Sequence, residues 1–145
     1  MAEIFVDEGL DVIMAIFPKN GSNLATLYVG LFTSQTGSTV PASNAVLATS
    51  TGVTEAAYTS YARQLIAAAS WGAQAAGSPD GRKTAGPQVT FPTVTGGAGT
   101  AVNGGFIADA ATNGHAICYF NFAEGAWTPA VNDSFKVTPT LNFGA

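Results

Sequence analysis

One histidine, one cysteine and nine scattered acids are the residues of this 145-residue chain that could carry chemistry. Nucleophilic catalysis needs a base within reach of an activated Ser, Thr or Cys. His115 and Cys118 lie three positions apart, which on an extended strand puts them on opposite faces and predicts no dyad. His115 reads as a turn or surface residue. Cys118 reads as a small core residue, as single cysteines usually are. No serine sits in a G-x-S-x-G elbow, so a small hydrolase built around His115 is disfavoured. One His and one Cys cannot complete a transition-metal set. Asp80, Asp109, Glu124 and Asp133 fall in separate loops and strand ends, without the ligand spacing of a calcium loop. Gly77-Ser78-Pro79-Asp80-Gly81-Arg82-Lys83-Thr84 imitates a phosphate-binding loop but fails it. Three residues rather than four separate its glycines, Arg82 precedes the lysine, and Gly86-Pro87 cannot open the required helix. The expectation is no catalytic residue, no cofactor and no metal.

Recognition is the remaining possibility. Tyr61, Arg63 and Trp71 form an aromatic and arginine group of the kind enriched at interface hot spots, and equally common in cores. Arg82 and Lys83, with Arg63, hold most of the positive charge, while four of the nine acids lie within the first eleven residues. That split suits complementary patches between subunits, or equally plain surface charge. Tyr61, Arg63, Trp71, Arg82 and Lys83 are therefore the candidate interface residues.

The elements that must position them follow from periodicity. Val6, Leu10, Ile13 and Phe17 recur on one face at helical spacing, which predicts a helix over 3–17, stopped by Pro18 and Asn20-Gly21. Beyond it the period falls to two. Residues 24–33 (LATLYVGLFT) are apolar on both faces, as a central strand would be. Residues 34–56 and 72–87 read as long surface loops rich in Gly, Ala, Ser and Thr, the first a candidate contact arm. The stretch 58–69 mixes Ala with Tyr, Thr and Ile and is assigned to strand. Strands are expected at 88–91, 102–109 and 115–122, with Asn113-Gly114 as a hairpin cue. The last strand, 134–143, alternates cleanly but carries Pro139, which implies a bulge or a sheet edge there. The expected fold is mainly β: a β-sandwich or jelly roll over 24–145 with one N-terminal helix, in a single domain.

Composition then limits the role. Only 10% of residues are charged and 47% are hydrophobic, against about 25% charged in ordinary soluble domains. Such a chain has little with which to cover a large wet surface, so part of its exterior is expected to be buried against other protein. A net charge of −4 with five basic residues argues against nucleic-acid binding, which depends on phosphate neutralisation. No apolar run approaches the roughly 20 residues that span a bilayer, and the acidic start is not a secretory signal. No membrane role is expected, and synthesis and folding in a cytosol are.

The order LYVGLFT (27–33), YARQ (61–64), Ser70-Trp71-Gly72, QVTFPT (88–93), GGFIADA (104–110) and NDSFKVTPTLNFGA (132–145) resembles small tailed-phage virion proteins, labelled tail fibre proteins or capsid decoration (cement) proteins. The resemblance implies a non-enzymatic virion component. Its first form is a cement protein on the capsid exterior, homo-oligomeric and bound across major capsid protein subunits, where many weak contacts act together. Its alternative is a tail fibre or baseplate element, in which Trp71, Trp127 and the tyrosines could stack on host sugars.

Overall fold

The computed structural model describes residues 3–5, 26–33, 46–47, 49, 52–67, 70–73, 75–76, 82–96 and 99–143. Within them the regular structure is strand, with no α-helix: β1 (Glu3–Phe5), β2 (Thr26–Thr33), β3 (Thr54–Glu55), β4 (Gln64–Ala67), β5 (Ala75–Ala76), β6 (Arg82–Ala85), β7 (Val89–Thr90), β8 (Val102–Ala108), β9 (Ala116–Asn121), β10 (Lys136–Val137) and β11 (Thr140–Phe143). The main sheet runs β1-β9-β8-β2-β3, with β4 also on β2. A pair β10-β7 and a triplet β11-β6-β5 make two smaller sheets. Every pairing is antiparallel.

The two-faced apolar pattern of β2 is used on both sides. Val29 and Leu31 join Ile66, Ile107, Cys118 and Phe120 on one face, packed against Val89, Phe91, Val94, Val137 and Leu141 of the smaller sheets and their flanks. Phe32 joins Phe106, Ala108, Ala116 and Tyr119 on the other, under Leu47 and Val53. Along one edge of β2, β4 pairs with Thr26–Val29 and β3 with Phe32–Thr33. The interval between them is closed by Leu31, whose carbonyl accepts the Ala56 N–H (2.9 Å) and whose N–H donates to the Tyr61 hydroxyl (2.9 Å).

Three glycines in the central strands each face an aromatic ring across the ladder: Gly30 faces Phe106, Gly104 faces Phe32 and Gly105 faces Phe120. A Cβ on Gly30 would lie 2.1 Å from Phe106 Cζ, and one on Gly105 2.5 Å from Phe120 Cζ. The rings fold flat over bare backbone. Glycine weakens a strand by its entropy and missing side chain, and a cross-strand aromatic restores the lost packing.

Several expectations are corrected. Glu3–Phe5 is not the start of a helix but strand β1, paired with β9 (Glu3 to Phe120, Phe5 to Cys118). The rest of the expected helix, 6–17, lies outside the described residues. A sheet edge that satisfies the backbone outcompetes a local helix interrupted by Gly9. The sheets are open, and a jelly roll is not established. The 72–87 loop holds β5 and β6, because β11 supplies β6 with a ladder partner that local sequence does not announce. Its Pro79-Asp80-Gly81 turn lies outside the described residues. Of the 34–56 connection, Leu47 and Val53 are core and Thr54–Glu55 is strand.

Other expectations hold. The strands at 24–33, 58–69, 88–91, 102–109 and 115–122 are present, some shorter than expected. Pro139 divides the last strand, sending β10 to β7 and β11 to β6. Asn113 and Gly114 both take positive φ (54° and 69°), as a hairpin turn between β8 and β9 requires.

Candidate functional site

Two clefts open on this framework, joined by a band of side chains that begins at Glu55. Strand β3 presents Glu55 toward the segment entering β4, which carries Tyr61 and Arg63. The Arg63 guanidinium grips the carboxylate with both prongs, Nε to Oε1 and Nη2 to Oε2, each at 2.8 Å. Its remaining arm, Nη1, donates to the carbonyls of Ala110 and Asn113, also at 2.8 Å. The planar fork suits such a two-point grip, which a lysine could not reproduce. The guanidinium lies 5.1 Å above the Phe106 ring, close enough for a cation–π contact. Its side chain is only 4% exposed, against 29% for Glu55. Tyr61 completes the group by donating to Glu55 Oε1 (2.7 Å).

Electrostatics follow from this burial. Desolvation alone would lower the Arg63 guanidinium, but the Glu55 hydrogen bonds and charge outweigh it and hold Arg63 above its usual value. Desolvation, then the Glu55 charge, raises the Tyr61 phenol well beyond the ordinary tyrosine range. Desolvation pushes Tyr58 up to about 12. The group is a lock between the β2 edge, the β8–β9 loop and the β4 approach. It also forms part of the wall of a cleft of about 720 Å³, with Leu47, Val53 and Asn113.

From Tyr61 a run of rings crosses the molecule. Tyr61 stacks on Phe91 (6.1 Å, 9°) and meets Tyr58 edge-on (5.3 Å). Tyr58 meets Trp127 edge-on (5.8 Å), Trp127 stacks on Phe135 (4.7 Å, 17°), and Phe135 touches Phe122 (4.8 Å). Trp127 is pinned by reciprocal backbone bonds with Val102 (2.7 and 2.8 Å). The run ends at a second cleft, of about 360 Å³, lined by Phe122, Glu124, Gly125, Trp127, Phe135 and Lys136 among others.

Of the sequence-derived candidates, Tyr61 and Arg63 come together in the lock. Trp71, Arg82 and Lys83 do not join it. Trp71 is half-buried against the main core and approaches Gly86, while Arg82 and Lys83 lie on β6 in the three-stranded sheet. Cys118 is fully buried. His115 is half exposed, with Nδ1 2.8 Å from Asp109 Oδ2 and its backbone N–H donated to Asp109 Oδ1 (2.7 Å). Among the described residues no group of three His, Cys, Asp or Glu is placed to hold a metal ion. Glu55, the residue that organises the lock, was missed by sequence reasoning. Its one signal was its position as an isolated acid between Asp11 and Asp80.

The arrangement offers a largely buried structural ion pair, apolar faces and one aromatic-lined cleft, which are means of assembly and recognition. Comparison with known proteins agrees. The profile of the Gp80 family, described as podophage GP4 fiber I protein gp80, matches residues 16–140. The chain belongs to this family. No curated protein matches it. A Gp80-family chain is a tailed-phage virion structural protein, and the matched span takes in the lock, both clefts and all strands from β2 to β10. Among the described residues no helix is long and apolar enough to cross a membrane.

Proposed function

We propose that this chain is a non-enzymatic building block of a podophage tail fibre, self-associated in the fibre. The family match over residues 16–140 carries the reading. It favours the fibre over the capsid-decoration role, in which the chain would bridge major capsid protein subunits. Both faces of the main sheet are packed, and the buried Arg63, paired with the partly exposed Glu55, ties its edge to the β8–β9 loop. Such a unit transmits position rather than performing a reaction. Low charge, with Leu65 and Val131 more than half exposed, supports contact with further copies of the chain. Immunogold labelling and gel densitometry of purified virions test the proposal. Label on the tail, with copies numbering a dozen or a few dozen, is expected. Label over the head with hundreds of copies would instead establish decoration of the shell.

A further inference from the structure

The β8–β9 loop contains a step that can rewrite its own covalent structure. Asparagine is a thermolabile residue, because the backbone nitrogen of the residue after it can attack its side-chain Cγ. That nitrogen gives up its proton, the N–Cγ bond forms, and the Cγ–Nδ2 bond breaks with release of ammonia. Water then opens the five-membered succinimide ring. Opening at one carbonyl gives aspartate; opening at the other gives isoaspartate, whose main chain runs through Cβ and Cγ. A following glycine favours the attack, since it has no Cβ to crowd the nitrogen. The sequence holds three such steps: Asn20-Gly21, Asn103-Gly104 and Asn113-Gly114. The first lies outside the described residues.

The other two sit in opposite settings. Asn103-Gly104 is inside β8, where Gly104 is buried and paired with Phe32 on one side and Asn121 on the other. The Asn103 carbonyl also accepts the Phe122 N–H (3.1 Å). Freeing that step means taking the central sheet apart. Asn113 is exposed at the loop tip, and its carbonyl is held by Arg63 Nη1 (2.8 Å). Asn113 and Gly114 have φ of 54° and 69°, in the left-handed region. Ring closure must bring Asn113 Cγ and the Gly114 nitrogen together on one side of the Cα–C′ bond, roughly half a turn of ψ from the left-handed well. A Cβ on Gly114 would lie 2.4 Å from Asp109 Oδ1, so the Asp109 carboxylate leaves the step little room to turn. The held loop cannot close the ring, and the released loop can. We propose that Asn113-Gly114 is a self-modification site, and that release of the loop from Arg63 sets its rate. Each event adds one negative charge to the loop, beside Glu55 in the wall of the larger cleft. The proposal concerns the chain itself and does not depend on where in the virion it lies.

The experiment ages the folded full chain in heavy-oxygen water at physiological temperature and neutral pH. Chymotryptic cleavage at Phe106 and Tyr119 then separates Asn103 from Asn113 for mass spectrometry. Asn113 should gain label and isoaspartate while Asn103 stays intact, and Asn113→Gln should abolish the change. Urea below the unfolding transition should leave the Asn113 rate nearly flat and raise the Asn103 rate, since local release exposes little surface. Arg63→Met, which frees two loop carbonyls, should speed Asn113 about tenfold beyond any change at Asn103. The proposal is overturned if Asn113 survives in the folded chain while the urea-unfolded chain converts fully. It is equally overturned if Asn103 reacts as fast as Asn113, if Arg63→Met leaves the Asn113 rate unchanged, or if urea raises both rates alike. The urea comparison uses the wild-type chain alone, so it decides the matter even if Arg63→Met does not fold. None of these outcomes bears on virion labelling, so the two proposals fail separately.

Discussion

Replacing Arg63 by methionine is the sharpest test of the lock. Methionine keeps much of the apolar stem and removes four hydrogen bonds, two to Glu55 and two to the Ala110 and Asn113 carbonyls. Removing one member of a buried pair costs about 3–5 kcal/mol, because the other charge is left uncompensated. Glu55 is 29% exposed and keeps the Tyr61 hydroxyl, so water recovers part of the loss. The expected destabilisation is therefore about 2–4 kcal/mol. At roughly 2–4 °C per kcal/mol for a chain near this length, the melting temperature falls by about 5–15 °C. Urea unfolding of wild type, Arg63→Met, Glu55→Gln and the double variant measures it. The double variant should lose less than the sum of the singles, by at least about 1 kcal/mol. As a control, Lys83→Met on exposed β6 should stay within about 0.5 kcal/mol of wild type. If Arg63→Met did the same, the lock would carry no stability and Arg63 would be dispensable to the fold.

Two further outcomes follow from the core. Gly30→Ala places a methyl 2.1 Å from Phe106 Cζ and should destabilise by about 3 kcal/mol or more, the upper end for overpacking; adding Phe106→Leu should recover part of that loss in urea titrations. Tyr58 and Tyr61 have pKa values raised above the usual ~10 by burial, so their contribution is whole below pH ~10 and is lost as pH climbs through and beyond about 12. The fall in urea midpoint over that alkaline window should shrink in Tyr58→Phe and Tyr61→Phe, and an unchanged slope would contradict the burial assigned to them.

The central strands were legible because β2, β8 and β9 state their burial in their own residues. The apolar runs 27–32 and 116–120 need no partner to be recognised as buried. Pro139 likewise announced the break between β10 and β11, and Asn113-Gly114 the turn. What stayed hidden depends on residues far away in sequence. Arg82–Ala85 reads as a basic turn until Thr140–Phe143 is laid beside it. Gly104-Gly105 gives no sign of its packing until Phe32 and Phe120 are seen folded over it. Tyr61 and Arg63 were recognisable as a pair of interest, but Glu55 and the Leu31 N–H decide what they do, and no local pattern names those partners. The smaller cleft was hidden for a related reason, since Phe122 and Phe135 meet only once the irregular segment between β9 and β10 has turned back.

The order in which the main sheet acquires its neighbours bears on how the chain is made. Strand β2 ends at Thr33, yet its longest ladder is with β8, which begins at Val102. Strand β1 must wait for β9, which starts at Ala116. On the ribosome, a strongly apolar segment therefore emerges with only β3 and β4 to cover one of its edges until β8 follows. Topologies that close such distant pairs are slow to fold and prone to aggregate on the way. Yield during synthesis should therefore depend on chaperones that hold 26–33 until the second half of the chain arrives.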